Sequence, residues 1–310
     1  MIELQAVGKA FGAIQAVDGV SLTIEHGEFV VLIGPSGSGK STLLKMINRL
    51  VEHDRGRILF KAEDIRSFRA EDVRRRMGYA IQSTGLFPHW SVARNIATVP
   101  ELLGWPAARI AARVDELLAL FGLDPQAYRG RYPHQLSGGQ QQRVGVARAL
   151  AADPEALLMD EPFGALDPIT RRTLQDELAR IHRTSGKTIV LVTHDIDEAL
   201  HLATRIVLLD HGRIVQAGAP RQLLAQPAND FVSDFVGRSD LGLKLLGLQI
   251  VAERMRAGEP ADGAAIAATM NLRDALSLFV ERHVECLPVA DAQGRVVGAL
   301  HFADLLARSA

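Results

Sequence analysis

Lys40 and Ser41 close the segment Gly34-Pro35-Ser36-Gly37-Ser38-Gly39-Lys40-Ser41, with Thr42 next, a full G-x-x-x-x-G-K-S phosphate loop. A triphosphate is mostly negative charge, so its site needs donors aimed at it and a metal to share the load. Gly34, Gly37 and Gly39 let the backbone wrap close to phosphates, with N–H groups pointing inward as the next helix begins. Lys40 is placed for the β- and γ-phosphates and the Ser41 hydroxyl for Mg²⁺. An accidental glycine turn would share the spacing, but a strand-like run, Phe29–Ile33, precedes it and a helical pattern follows. Downstream, Ala156-Leu157-Leu158-Met159 ends in Asp160-Glu161, and a carboxylate at a strand end can reach a metal. The alternative is a helix N-cap, because Asp-Glu-Pro also starts helices. His194 closes the run Thr188–Thr193 and Gln82 closes Met77–Ile81. Phe11, ahead of the second strand, either offers its face to a base or packs into the core.

The elements that must hold these residues alternate. Short β-rich runs cover Ile2–Val7, Val20–Ile24 and Phe29–Ile33, and a helix is expected from Ser41 to about Leu50. Positions 91 to about 132 are helical in pattern, with Gly122 as a stop signal. A second β/α stretch brings Leu157–Asp160, a helix after Pro168, Thr188–Thr193, a helix from Asp195, and Ile206–Leu209. Strands alternating with helices imply a largely parallel, covered sheet, hence an α/β fold. After Pro220 the texture changes to short helices, then one amphipathic helix over Gly242–Arg256, then a linker at Gly258–Gly263. Beyond it Leu272–Val280 reads as helix, Leu287–Ala290 and Val296–Leu300 as strands, and Phe302–Arg308 as helix.

Composition narrows the classes. The chain has 310 residues, room for one large domain and a small one. Its 35 Lys+Arg against 36 Asp+Glu leave no basic field, so nucleic acid is not an expected partner. A single cysteine, Cys286, excludes an internal disulfide and fits a reducing compartment. The first residues, Met1-Ile2-Glu3-Leu4, do not read as a signal peptide, and none is expected. No run of about 18 apolar residues occurs, so any transport pore is expected to be another polypeptide.

Between the phosphate loop and Asp160 stands Leu136-Ser137-Gly138-Gly139-Gln140. With those motifs around it, the chain resembles the ATP-binding-cassette (ABC) ATPases over nearly its whole length. The resemblance implies a phosphate-loop NTPase cassette with a parallel-sheet core, an N-terminal antiparallel β part and a helical subdomain at about 91–145. It implies that Glu161 polarises the attacking water, that His194 contacts the γ-phosphate, and that Gln82 links metal and water to a membrane partner. Asp160, Ser41 and Gln82 are the implied Mg²⁺ ligands, and Phe11 the ring under the adenine. Ser137, Gly138 and Gly139 open a helix whose N–H groups form an anion site, and in the family this caps the γ-phosphate held by a second copy of the chain. Asp167, in Gly164-Ala165-Leu166-Asp167, resembles the loop that crosses the same interface.

Met77–Trp90, Lys45–Leu50 and Val99–Trp105 resemble the importers of quaternary-amine osmoprotectants such as glycine betaine, choline and carnitine. This implies an integral-membrane permease as partner, a substrate-binding protein acting through it, a homodimer, and a peripheral place on the cytoplasmic face of the inner membrane. Leu86–Trp90 is the segment that would receive a short helix of the permease; the same residues suit a hydrophobic staple before Ser91. The cassette is expected over 1–236, a helical linker over 237–262, and over 263–310 a small α/β unit resembling one CBS motif, with His301 where Ser or Thr is usual. An amino-acid importer, an exporter's ATPase and a soluble cassette acting on ribosomes or DNA are the rival readings.

Overall fold

Phe29–Ile33, Ala156–Asp160 and Thr188–Val192 are nearly continuous apolar runs, which suit a sheet covered on both faces. In the computed structural model every residue of the three is buried. The structure describes residues 1–81, 85–164 and 166–306, and the counts of elements are of those residues. They fall into two compact units, Met1–Ala219 and Pro220–Ala310.

The first unit holds two sheets. One is antiparallel, β1 (Ile2–Phe11), β2 (Ile14–Ile24), β4 (Arg55–Phe60) and β5 (Glu63–Asp64), in the order β2-β1-β4-β5. The other comprises β3 (Phe29–Ile33), β6 (Met77–Ala80), β7 (Ala156–Asp160), β8 (Thr188–Val192), β9 (Arg205–Asp210) and β10 (Arg213–Gly218), in the order β10-β9-β3-β8-β7-β6. It is parallel except for β10, which runs antiparallel to β9 at the edge. Helix α1 (Lys40–Ile47) follows β3 directly. Its apolar face, Leu43, Leu44, Met46 and Ile47, joins one core cluster with Ile2, Leu4 and Ile24 of the first sheet and Leu32, Leu158 and Val190 of the second. That cluster fixes the phosphate loop, the β3–α1 turn, against the ends of β7 and β8. Truncating one of its leucines would cost about 2–5 kcal/mol.

Helix α2 (Ala70–Arg76) leads into β6. Helices α3 (Val92–Leu102), α4 (Ala107–Leu120), α5 (Pro125–Tyr128) and α6 (Gly138–Leu150) follow in chain order. α4 buries Val114, Leu117 and Leu118 at the spacing of one helical face. α7 (Pro168–Ser185) and α8 (Ile196–Leu202) flank β8. Among the described residues no helix is long and apolar enough to cross a membrane.

The second unit begins at Pro220, where the texture of the sequence changes. α9 (Pro220–Ala225), α10 (Asp230–Val236) and α11 (Leu241–Gly247) pack on one another, so the division falls after Ala219, not after 236. The stretch 237–262, expected as a helical linker, holds α11, a 3-10 turn at Val251–Glu253 and a strand, and Gly242–Arg256 is not one helix. α11 stops at Gly247 because the chain beyond it spends its N–H groups elsewhere: Val251 donates to the Met270 carbonyl at 2.8 Å and Ala252 to Ala268 at 2.9 Å. Arg256–Ala257 then forms strand β11. With β12 (Ile266–Ala267), β13 (Cys286–Ala290) and β14 (Val296–His301) it gives a sheet in the order β11-β14-β13-β12, packed on α12 (Leu272–Arg282). Val251, Ile266, Leu272, Phe279, Leu287 and Leu300 share this unit's core. Phe302–Leu306 is a 3-10 turn, and 307–310 lie outside the described residues.

Candidate functional site

Two loop glycines are required by space as well as by backbone angle. Gly34 has φ 148° and a Cβ there would lie 2.1 Å from the Leu209 carbonyl oxygen. At Gly39, φ 99°, it would lie 2.3 Å from the Ala16 oxygen. Any other residue would push the loop off β2 and β9 and spoil the cradle. Gly39 is also the N-cap of α1 and supplies no side-chain acceptor, which leaves the first N–H groups of the helix for an anion. Lys40, 5% exposed, donates from Nζ to the Gly34 and Pro35 carbonyls, each at 2.8 Å, and lies 3.4 Å from Ser38 Oγ. Burial holds its ammonium below the usual lysine value, an effect opposed by the carboxylates of Glu161 and Asp160. A phosphate would relieve that strain by bringing negative charge to a desolvated cation.

The Ser41 hydroxyl donates to Asp160 Oδ1 at 2.7 Å, bringing two implied metal ligands together across β3–α1 and β7. Asp160 is buried at the end of β7 and caps no helix, since the next helix starts at Pro168 with Asp167 as its cap. Among the described residues no group of three His, Cys, Asp or Glu is placed to hold a metal. A hydroxyl and one carboxylate beside a phosphate cradle is the sparse protein set that suits Mg²⁺, which keeps several waters and takes substrate oxygens. Glu161 follows in the left-handed region, φ 46°, with its N–H bonded to the Val192 carbonyl at 3.0 Å. His194 Nδ1 lies 3.4 Å from Glu161 Oε1. A cavity of about 630 Å³ is walled by Ser36, Gly37, Gly39, Lys40, Ser41 and Thr42 on one side, and by Ala16, Glu161 and His194 on the others. It is large enough for a nucleotide.

Other expected residues lie apart from this wall. Phe11 is 49% exposed at the β1–β2 turn with Lys9 Nζ 5.3 Å from its ring centre, so one reading of it, as buried core, is excluded. Ser137, the N-cap of α6, exchanges bonds with Gln140: its Oγ accepts the Gln140 N–H at 3.3 Å, and Gln140 Oε1 accepts the Ser137 N–H at 3.0 Å. A Cβ on Gly138 would meet nothing within 4 Å, whereas one on Gly139 would lie 2.5 Å from Thr170 Cγ2. None of the three lines the cavity of their own chain. Asp167 caps α7, accepting from Ile169 and Thr170 at 3.1 and 3.0 Å, and the Thr170 bonds hold its carboxyl below the usual value. Gln82 lies outside the described residues.

Sequence reasoning missed three neighbours. Lys45, one helical turn beyond Ser41, lies 4.0 Å from Asp160 Oδ2, and the i,i+4 spacing was the available signal. Tyr79 buries its hydroxyl beside Asp160, and burial followed by the Asp160 carboxylate pushes its pKa up. Asn95, fully buried, laces the segment before α3: Oδ1 accepts from the Phe87 N–H at 2.8 Å, while Nδ2 donates to Phe87, Trp90 and Ser91 carbonyls at 3.1–3.2 Å. It holds Phe87 and Trp90 tilted against each other with ring centres 4.4 Å apart, and Phe87 exposed.

A phosphate cradle on a parallel sheet, facing a carboxylate pair and a histidine, defines a nucleoside-triphosphatase cassette. Residues 17–164 match the ABC transporter family model and 264–310 the CBS domain model. The chain is 65% identical over 306 residues to the glycine betaine uptake system ATP-binding protein YehX of Escherichia coli K12, covering 99% of each. It is 48% identical to the glycine betaine/carnitine/choline transport ATP-binding protein OpuCA of Bacillus subtilis 168, covering 96% of this chain and 77% of that one. A solved dimeric ATP-binding cassette in a post-hydrolysis state, bound to ADP and Pi, shares 34% identity at TM-score 0.65, over 71% of this chain and 99% of that chain. The chain belongs to the family of ATP-binding subunits of osmoprotectant ABC importers.

Proposed function

We propose that this chain is the energy-coupling ATPase of an importer for glycine betaine, choline, carnitine or related quaternary amines. It works as a homodimer on the cytoplasmic face of the inner membrane. The integral-membrane permease on which it docks receives solute from a substrate-binding protein. The observation that carries the catalytic part is the convergence of Lys40, Ser41–Asp160 and Glu161–His194 on one cavity, with the Ser137 helix end exposed and outside it. The loop N–H groups and Lys40 bind the phosphates of ATP. Ser41 and Asp160 would hold Mg²⁺, which when bound neutralises charge on the β- and γ-phosphate oxygens. Glu161 orients a water for in-line attack on the γ-phosphorus and takes its proton as the bond to the β,γ-bridging oxygen breaks and ADP leaves, and His194 keeps that carboxylate and the γ-phosphate in register. Ser137, Gly138 and Gly139 of the second copy close over the γ-phosphate, and phosphate release reopens the pair. Family membership at 65% identity supports the solute class.

The test is Glu161→Gln in the full chain. ATP binding should persist while hydrolysis falls at least about a hundredfold and the closed dimer accumulates. Substantial turnover by the variant would remove Glu161 from this role. In vesicles with the permease, ATPase stimulation should follow betaines in a panel that includes amino acids, and stimulation by amino acids alone would sink the solute assignment.

A further inference from the structure

Arg171 lies on α7, one turn past the Asp167 cap, and its guanidinium faces three acceptors, one just before α7 and two at the start of α8. Nη2 donates to the Leu166 carbonyl at 3.3 Å. Nη1 lies 3.8 Å from Asp195 Oδ2, and Nε 3.9 Å from Glu198 Oε1. Those two carboxylates govern the residues on either side of His194. Glu198 is buried, and its Oε2 accepts the Thr193 hydroxyl at 2.6 Å. That hydroxyl in turn accepts the Asp195 N–H at 3.1 Å, while Asp195 Oδ1 caps α8 through the N–H groups of Asp197 and Glu198. His194 is thus suspended between two anchored residues, with its own ring exposed and 3.4 Å from Glu161.

The Nε of Arg171 is buried and makes no hydrogen bond. A buried guanidinium N–H left unmade is costly, and charge-assisted bonds to carboxylates are the strong ones. The 3.9 Å gap to Glu198 is therefore one that a small shift of α7 or α8 closes with gain. At the other end of the same side chain is the Leu166 carbonyl, next to Asp167.

We propose that Arg171 is a positioning residue that, through Asp195 and Glu198, sets His194 against Glu161 and ties that geometry to the Leu166–Asp167 segment. Movement of this segment when a second copy docks is then transmitted to the catalytic pair, so that closure and alignment occur together. A rigid planar fork can reach acceptors set well apart, whereas the donors of a lysine ammonium all sit on one nitrogen. The inference rests on the ATPase reading of the site.

The experiment compares the full-length chain with Arg171→Gln, Arg171→Lys and Glu198→Gln, measuring equilibrium ATP binding, kcat and Tm on the same preparations. The Gln variants should lose at least about tenfold in kcat with ATP affinity within about threefold, and Arg171→Lys should fall between them and wild type. The double variant Arg171→Gln/Glu198→Gln should be no worse than the poorer single one, because both act on one network. The His194 imidazole resonances, assigned by ¹⁵N-histidine labelling, should move in Arg171→Gln. Unchanged kcat, or kcat and ATP affinity falling together with Tm, would overturn the proposal. If Arg171→Gln does not fold, Arg171→Lys and Glu198→Gln carry the same comparison, with unchanged kcat in either overturning it. A wild-type chain without ATPase activity would instead sink the functional reading, so the two failures are told apart.

Discussion

His53, in the loop that joins α1 to β4, is almost fully buried, and neither ring nitrogen has a hydrogen-bond partner. Burial first, and then the Arg66 guanidinium, hold its pKa below the usual histidine value despite Glu52 and Asp64 nearby. The folded chain thus keeps this ring neutral while the unfolded chain protonates it near pH 6.5. The stability it permits is fully present above that unfolded value and is lost as pH falls toward the depressed folded one. His53→Leu should therefore flatten the pH response: its urea midpoint should drop less between pH 7.5 and 5.5 than that of wild type, and parallel drops would refute the account. Nothing in the sequence marks His53, because its significance comes from neighbours distant along the chain. That Lys40, Ser41, Asp160 and His194 lie near one another was legible for the opposite reason. The motif spacing and the apolar runs a few residues long that end beside them place them at strand ends, and the phosphate and metal roles are those proposed for them.

At the scale of elements, legibility followed local pattern. The buried strands Phe29–Ile33 and Thr188–Val192 declared themselves by continuous apolar character, and α7 by an aspartate cap, a proline at its first position and Gly186 at its end. β4, β10 and β11 did not, since they are half-exposed or short and owe their existence to pairing with β1, β9 and β14. The loop from Gly85 to Ser91 is a further case, where apolar residues suggested a surface patch but the device that shapes it is Asn95, on the following helix. Asn95→Ala would leave the Phe87 N–H and three carbonyls to find other partners, at a cost of about 2–4 kcal/mol. A urea titration of the isolated chain should show that loss. The same variant should weaken capture by permease-containing vesicles more than ATP binding, and a variant that docks normally would show that the loop's shape is not what the permease reads.

For the whole molecule, the relevant observation is that Ser137, Gly138 and Gly139 do not line the cavity that Lys40 and Glu161 of the same chain form. They open α6 away from the cavity, and a Cβ at Gly138 meets nothing within 4 Å. Gly138→Ala should therefore fold as wild type does, with Tm unchanged or raised, because alanine fits the open space and loses less backbone entropy on folding. Its effect should appear only where another molecule's phosphate approaches. Lys40→Ala damages the opposite half of the site. Each variant alone should be inactive, since every dimer then contains two broken sites. Mixed at equal amounts and allowed to exchange, half of the dimers pair unlike chains. Each such dimer has one intact site and one damaged twice, so turnover should recover to about a quarter of wild type and vanish at either extreme of the mixing ratio. If cradle and Ser137 helix served the same site within one chain, no mixing ratio would restore activity, because every chain carries one lesion. A flat, inactive mixing curve from chains that demonstrably exchange would thus return the site to a single copy.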